Sequence, residues 1–219
     1  PGPKSTPVVT GNRLVTFGIS GILTCWDTGN GRTVWSHEFS DQHRLTSPLY
    51  GHSTSPIVVD GRVIVHVGGH DDGALMAFEL TSGKVAWRWT GDGPAYTSPV
   101  MVILAGKSHL VTQSQKFHLG VDPTTGTILW RVYYRIRGGV DLRWLLGSMD
   151  DEFFFGGLGV LAVKARPGSD QSEAAARVVR GPESLGLDQY GRTSIYGIPL
   201  GALTSNRIYF STPDGIKVF

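Results

Sequence analysis

Gly120-Val121-Asp122-Pro123-Thr124-Thr125-Gly126-Thr127-Ile128-Leu129-Trp130 reads as a β-like run, a tight turn and a second β-like run that ends on an indole. The same phrase, small residue-x-acid-x3-Gly-x3-Trp, occurs twice more, as Cys25, Asp27, Gly31, Trp35 and as Ala77, Glu79, Gly83, Trp87. In all three copies the small residue and the Trp are ten residues apart, and successive Trp residues are 52 and 43 apart. A second marker keeps step with the first: Thr6-Pro7, Ser55-Pro56 and Ser98-Pro99 precede their Trp by 28, 31 and 31 residues. Two markers in register establish an internal repeat.

Between the markers each repeat alternates short β-branched runs with turn residues. The first reads Pro7-Val8-Val9, Thr10-Gly11-Asn12, Leu14-Val15-Thr16-Phe17, Gly21, Leu23-Thr24-Cys25-Trp26, then Thr33-Val34-Trp35. The second follows with Ile57-Val58-Val59, Asp60-Gly61 and Val63-Ile64-Val65-His66-Val67. Four strands in a unit of about 40–50 residues are the mark of a β-propeller blade. The residue types suit that setting. Gly supplies a positive φ at no steric cost, and an adjacent Asp or Thr bonds backbone groups of the turn. The large Trp ring must be buried, and a facing Cys, Ala or Gly leaves it room. Trp35, Trp87 and Trp130 are thus expected to anchor the blades. Cys25, Ala77 and Gly120 would lie beneath them, and Asp27 with Gly31, Glu79 with Gly83 and Asp122 with Gly126 would form the turns.

Farther along, the register continues through Gly159-Val160-Leu161-Ala162-Val163, but Lys164 replaces the acid, no Gly-x3-Trp follows, and 166–180 reads as a polar insertion. The marker due near Leu142 is replaced by Arg143-Trp144-Leu145-Leu146. The pattern returns with Ile198-Pro199, Ile208-Tyr209-Phe210 and Asp214-Gly215-Ile216. The expectation is an all-β chain, a partial β-propeller of about four and a half four-stranded antiparallel blades forming one incomplete domain. The blades fall near 5–40, 53–92, 96–135, 138–182 (degenerate) and 195–219 (incomplete). Because the sequence opens inside a repeat and stops within one, the expectation is also that it is part of a longer or truncated product.

Composition narrows the function classes. With 40% apolar and 17% charged residues among 219, the chain has material for a sizeable core. Residues 1–130 carry nine charges of each sign and the whole chain is +2, so neither a polybasic nucleic-acid surface nor a membrane-binding patch is written in it. Cys25 is the single cysteine, which excludes an intrachain disulfide and a CxxC motif. No apolar run is long enough for a transmembrane helix.

The phrase, with Asp122-Pro123-Thr124-Thr125-Gly126-Thr127-Ile128-Leu129-Trp130 as its fullest copy, resembles the repeat of quinoprotein-like propellers. These include dehydrogenases that use pyrroloquinoline quinone (PQQ) and the non-enzymatic lipoprotein subunit of the outer-membrane β-barrel assembly machinery. Ser47-Pro48-Leu49-Tyr50-Gly51 and His66-Val67-Gly68-Gly69-His70-Asp71 belong to the likeness, which covers about four-fifths of the chain. It implies a protein-binding scaffold in outer-membrane assembly, periplasmic or outer-membrane-associated, meeting partners by strand addition or face loops and carrying no cofactor. The alternative it implies is a piece of a PQQ-dependent alcohol dehydrogenase, with PQQ and calcium. For that chemistry the vicinal cysteine pair of many members is excluded, and no calcium ligand or catalytic residue matches residue by residue. A decayed reading frame after Tyr134 is a third reading.

Several polar groups remain as candidates. His66, His70, Asp71 and Asp72 are ligand types for a metal, but Gly68–Gly73 also reads as a hairpin loop. Asp41, Gln42, His43, Arg44 and His52 fall in the long first inter-blade connection and read as a solvated rim loop. Gln113, Gln115, Lys116 and His118 either face a central channel or follow the alternation of a half-buried strand. Gly156-Gly157-Leu158-Gly159 lacks a following helix and reads as a tight turn. Hydrolase, zincin, nucleotide and dinucleotide fingerprints are missing.

Overall fold

The structure is a computed structural model, describing residues 4–43, 48, 51–69, 71–104 and 107–133 and, beyond these, the strands 144–149, 152–157, 159–164, 175–180, 201–203, 208–212 and 215–218. The described residues are all-β and arranged as successive antiparallel sheets. The first sheet is β1 (Val8–Thr10), β2 (Arg13–Phe17), β3 (Ile22–Asp27) and β4 (Thr33–Glu38). The second is β5 (Ile57–Val59), β6 (Arg62–Gly69), β7 (Asp72–Glu79) and β8 (Val85–Thr90). The third is β9 (Val100–Leu104), β10 (Lys107–Gln113), β11 (Phe117–Val121) and β12 (Ile128–Tyr133). In each the spatial order follows the sequence, as a meander of short hairpins requires.

The chain divides into two compact units. One holds the first two sheets and most of the third. The other holds the fourth sheet, β13 (Trp144–Met149), β14 (Glu152–Gly157), β15 (Gly159–Lys164) and β16 (Ala175–Arg180). It also holds a three-stranded sheet of β17 (Gly201–Leu203), β18 (Ile208–Thr212) and β19 (Gly215–Val218). The stretch read as a polar insertion contains β16, which pairs with β15 from Val160↔Arg180 to Lys164↔Ala175 and completes the fourth sheet. Gly157 pairs with Gly159.

Strand periodicity explains how the first unit packs. Successive side chains leave a strand on opposite faces, so β6 and β7 each serve two neighbours. Val63, Val65, Val67, Ala74, Met76 and Phe78 pack with Val15, Phe17, Leu23, Cys25 and Trp35 of the first sheet. From the opposite face, Ile64, Leu75 and Ala77 pack with Leu110, Leu119 and Val121 of the third. A sheet covered on both sides has to be apolar nearly throughout, and β6 is buried along all but its first residue.

The repeated phrase becomes a fastening between sheets. The β3–β4 and β7–β8 pairings place Cys25 opposite Trp35 and Ala77 opposite Trp87, with a register shift just beyond each small residue. Each indole then crosses to the next sheet. Trp35 Nε1 donates to the Leu80 carbonyl at 2.8 Å, and Trp87 Nε1 donates to the Pro123 carbonyl at 2.9 Å. The rings lie directly on the turn glycines. A Cβ on Gly83 would stand 2.7 Å from the Trp35 ring, and one on Gly126 would stand 2.5 Å from Trp87. Both glycines have φ near +70° (70° and 75°). Gly31 shares that φ but no described atom lies within 4 Å of its Cβ position. Trp130, the third of the series, is buried at 3% exposure.

In two of the three phrases the carboxylate of the acid closes the turn. Asp27 Oδ1 accepts from Gly29 N at 2.9 Å, and Asp122 Oδ1 accepts from Thr124 N at 2.7 Å and Thr125 N at 3.1 Å. Glu79, one methylene longer, reaches Arg62 on the neighbouring strand at 3.7 Å, while Asp27 pairs with Arg13 at 3.0 Å.

Replacing Trp87 by Ala is expected to destabilise the chain by about 3–5 kcal/mol in urea denaturation, and an unchanged midpoint contradicts the fastening. Gly31→Ala is expected to cost only the left-handed backbone penalty of about 1–2 kcal/mol. Gly83→Ala adds a collision with Trp35, so equal losses in the two variants contradict the seating.

Candidate functional site

The β2–β3, β6–β7 and β10–β11 hairpins leave their antiparallel sheets at the end from which the connections to the next sheet also depart. Among the described residues, His66, Asp92, Gln113, Ser114 and His118 are buried polar groups at that end. Asp92, immediately after β8, is fully buried at 0% exposure. Its carboxyl accepts from Gly93 N at 3.0 Å and from Lys116 N, in the next hairpin, at 2.6 Å. Its carbonyl accepts from His66 Nε2 at 3.1 Å. A buried carboxyl is tolerable only with such partners.

The backbone is drawn in equally closely. Gln115 N donates to the Gly93 carbonyl at 3.0 Å, and a Cβ on Gly93 would run into the carbonyl oxygen of Gly69. On the other side of the junction Asp71 N donates to Gln115 Oε1 at 2.9 Å, and the Asp71 carboxylate pairs with the Lys116 ammonium. Asp92 and Gly93 thus bind the second hairpin to the third. Outward from this buried joint stand Asp71, Asp72 and Lys116, exposed by 73%, 55% and 45%.

Two of the histidines are placed differently from the sequence reading. His43 and His52 were expected in a solvated loop, yet both are buried. His43 Nδ1 meets Asp72 Oδ2 at 3.0 Å. His52 packs on Phe17 with ring centroids 5.1 Å apart, and its amide donates to the Ile19 carbonyl at 3.0 Å. His66 is fully buried with its ring edge-on to Trp89 at 6.2 Å. Burial pushes His52 and His66 down to about 4, and the charge of His43 acts on His52 in the same direction. Asp41 and Gln42 are exposed, while His70 and Arg44 lie outside the described residues.

Gln113 and His118 are opposed across β10–β11 and both fully buried, and Gln113 Oε1 accepts from Thr97 Oγ1 at 2.8 Å. Of the candidates, the structure brings Asp71, Gln115 and Lys116 together, and separately His43 with Asp72. Sequence reasoning missed Asp92, a single acid in a loop whose only signal was the Gly91-Asp92-Gly93 turn. Among the described residues no three His, Cys, Asp or Glu side chains gather as cation ligands. Cys25 is buried in the sheet junction, where loss of water pushes its thiol pKa up.

Comparison with known proteins adds relatives. Residues 1–176 match the family described as outer membrane protein assembly factor BamB. Quinohemoprotein alcohol dehydrogenase ADH IIB of Pseudomonas putida is 29% identical over 82 residues, covering 36% of this chain and 11% of that protein. Among solved structures, BamB from Moraxella catarrhalis superposes with a TM-score of 0.55 at 14% identity, over 99% of this chain and 58% of that one. A europium-containing methanol dehydrogenase gives 0.56 at 12% identity, over 80% and 41%. The C-terminal WD40 domain of Sif2 gives 0.56 at 14%, over 95% and 52%. At these identities the structural likeness is one of fold, and the fold is a β-propeller. The chain spans less than two thirds of each relative.

Asp92→Ala strips the Lys116 and Gly93 amides of their acceptor. It is expected to cost about 1–3 kcal/mol in equilibrium unfolding, whereas a loss below about 0.5 kcal/mol contradicts its role as the joint.

Proposed function

This chain belongs to the family described as outer membrane protein assembly factor BamB, and from that membership we propose that it is a non-catalytic propeller scaffold that binds protein partners during outer-membrane protein assembly. Its place of action is then the periplasm or the periplasmic side of the outer membrane. No helix among the described residues is long and apolar enough to cross a membrane.

The observation that carries the reading is the use made of the polar groups on the hairpin face. The carboxyl of Asp92 is engaged by backbone amides and His66 by the Asp92 carbonyl, so these groups hold the face in place. The outward groups Asp71, Asp72 and Lys116 are carried on hairpins already fixed to one another. A surface ordered before binding loses little entropy when a partner docks, and its mixed charges favour orientation and recognition.

The 82-residue likeness to a quinohemoprotein alcohol dehydrogenase favours a second reading, a piece of a PQQ-dependent dehydrogenase. Under it PQQ and calcium would supply the redox chemistry.

The two readings separate in one set of measurements on the purified protein. The scaffold reading expects saturable binding to isolated components of the outer-membrane assembly machinery, weakened severalfold by Asp71→Lys at moderate salt, and no response to PQQ with calcium. Saturable PQQ binding with dye-linked alcohol oxidation, or no binding to any assembly component, overturns it.

A further inference from the structure

We propose that the exposed β3–β4 turn of the first sheet is a docking seat for a partner protein's β-hairpin that carries a tryptophan on its second strand, a partner chemistry that deepens the scaffold reading on which it rests.

Three turns are built alike. Asp27 N donates to the Arg32 carbonyl at 2.9 Å and Gly31 N to the Asp27 carbonyl at 2.8 Å. Glu79 with Lys84 and Gly83, and Asp122 with Thr127 and Gly126, make the same two bonds. Thr28 N reaches the Asn12 carbonyl as Leu80 N reaches the Gly61 carbonyl, at 3.0 and 2.8 Å. Two of these turns receive an indole from the preceding sheet, Trp35 on the Leu80 carbonyl and Trp87 on the Pro123 carbonyl. Thr28 holds the same position in the first turn, and Gly31 has the φ of 70° found at Gly83.

Exposure is what differs. Gly83 is buried beneath Trp35, whereas Thr28, Gly29, Asn30 and Gly31 are all exposed, and no described atom lies within 4 Å of a Cβ on Gly31. Beside the turn, half-buried Trp26 stands at the position of Phe78, on which Trp35 stacks with ring centroids 6.2 Å apart. An incoming indole thus meets a ring to stack on, a carbonyl to accept its N–H and a turn without a Cβ. Polar side chains on that face are already bonded to one another. Trp26 Nε1 donates to Thr16 Oγ1, and the Thr24 and Ser36 hydroxyls share a bond, both at 3.0 Å, so a partner covers them without stranding a donor.

The opposite edge of the sheet has the same polarity. Thr6 N donates to Ser55 Oγ at 2.9 Å and Ser55 N to Ser98 Oγ at 2.8 Å, so each receiving hydroxyl takes an amide from the sheet before it. Thr6, the first of the series, is exposed. A second copy of this chain is the poorer occupant. Its Trp35 and Trp87 are already seated and its Trp130 is buried, which leaves no fourth-strand indole among the described residues to offer.

The β7–β8 hairpin of this chain, Ala74–Thr90, made as a cyclised peptide, carries Trp87 on its second strand and serves as the probe. Titrated into the full chain, it is expected to give saturable shifts of the Thr28 and Gly31 amide resonances. Trp87→Leu in the peptide removes the indole. Gly31→Ala in the protein puts a Cβ where the ring must lie, as the 2.7 and 2.5 Å approaches at Gly83 and Gly126 show. Each is expected to weaken binding at least about tenfold. No saturable shift at the turn, or binding that either substitution leaves unchanged, overturns the proposal. Should Gly31→Ala not fold, the comparison of the two peptides on the wild-type chain decides. Self-association of the wild-type chain that Gly31→Ala abolishes overturns it in favour of a second copy. Because no assembly component enters this titration, its failure leaves the scaffold reading standing.

Discussion

An indole laid on a glycine turn, with its N–H spent on a carbonyl of that turn, is the contact that fixes how one sheet of the first unit meets the next. Trp35 makes it with Leu80 and Gly83, and Trp87 makes it with Pro123 and Gly126. The contact combines three requirements in one place. The large ring leaves water, its donor is satisfied, and the turn that receives it must have both φ > 0 and no Cβ. Trp35 and Trp87 are themselves members of the face-to-face cores around Val65 and Ile64.

With the sheets held by apolar contacts along their length, polar residues are left to organise the end from which the hairpins and connections emerge. The sequence of residues at one register position shows the change: Phe17 in the first sheet, His66 in the second, Gln113 in the third. Each polar replacement binds a neighbouring loop, His66 through Asp92 and Gln113 through Thr97. These bonds fix the geometry of the face.

How far the sequence disclosed this depends on the range of each interaction. The ten-residue interval from Cys25 to Trp35 is a property of one hairpin, so it is visible as a motif and fixes strand, turn and strand together. Gly83 is legible as a turn glycine, but its second duty depends on Trp35 in the preceding repeat and has no local sign. His43 and His52 lie in a connection without periodicity, so nothing in the sequence distinguishes a buried imidazole there from a solvated one. The strand β16 was hidden because Ala175-Ala176-Arg177-Val178-Val179-Arg180 follows a long polar run and lacks the Trp that marks the fourth strands before it. Asp92 needed the third hairpin in place before its carboxyl could be recognised as a joint.

The central claim, that a Trp and the glycine of the following turn act as one fastening, is tested most directly by a double-mutant cycle on Trp35→Leu and Gly83→Ala followed by urea denaturation. The account predicts strong coupling, with Gly83→Ala costing at least about 1 kcal/mol less once the indole is gone. Losses that add to within about 0.3–0.5 kcal/mol would show the two residues acting independently and would contradict it.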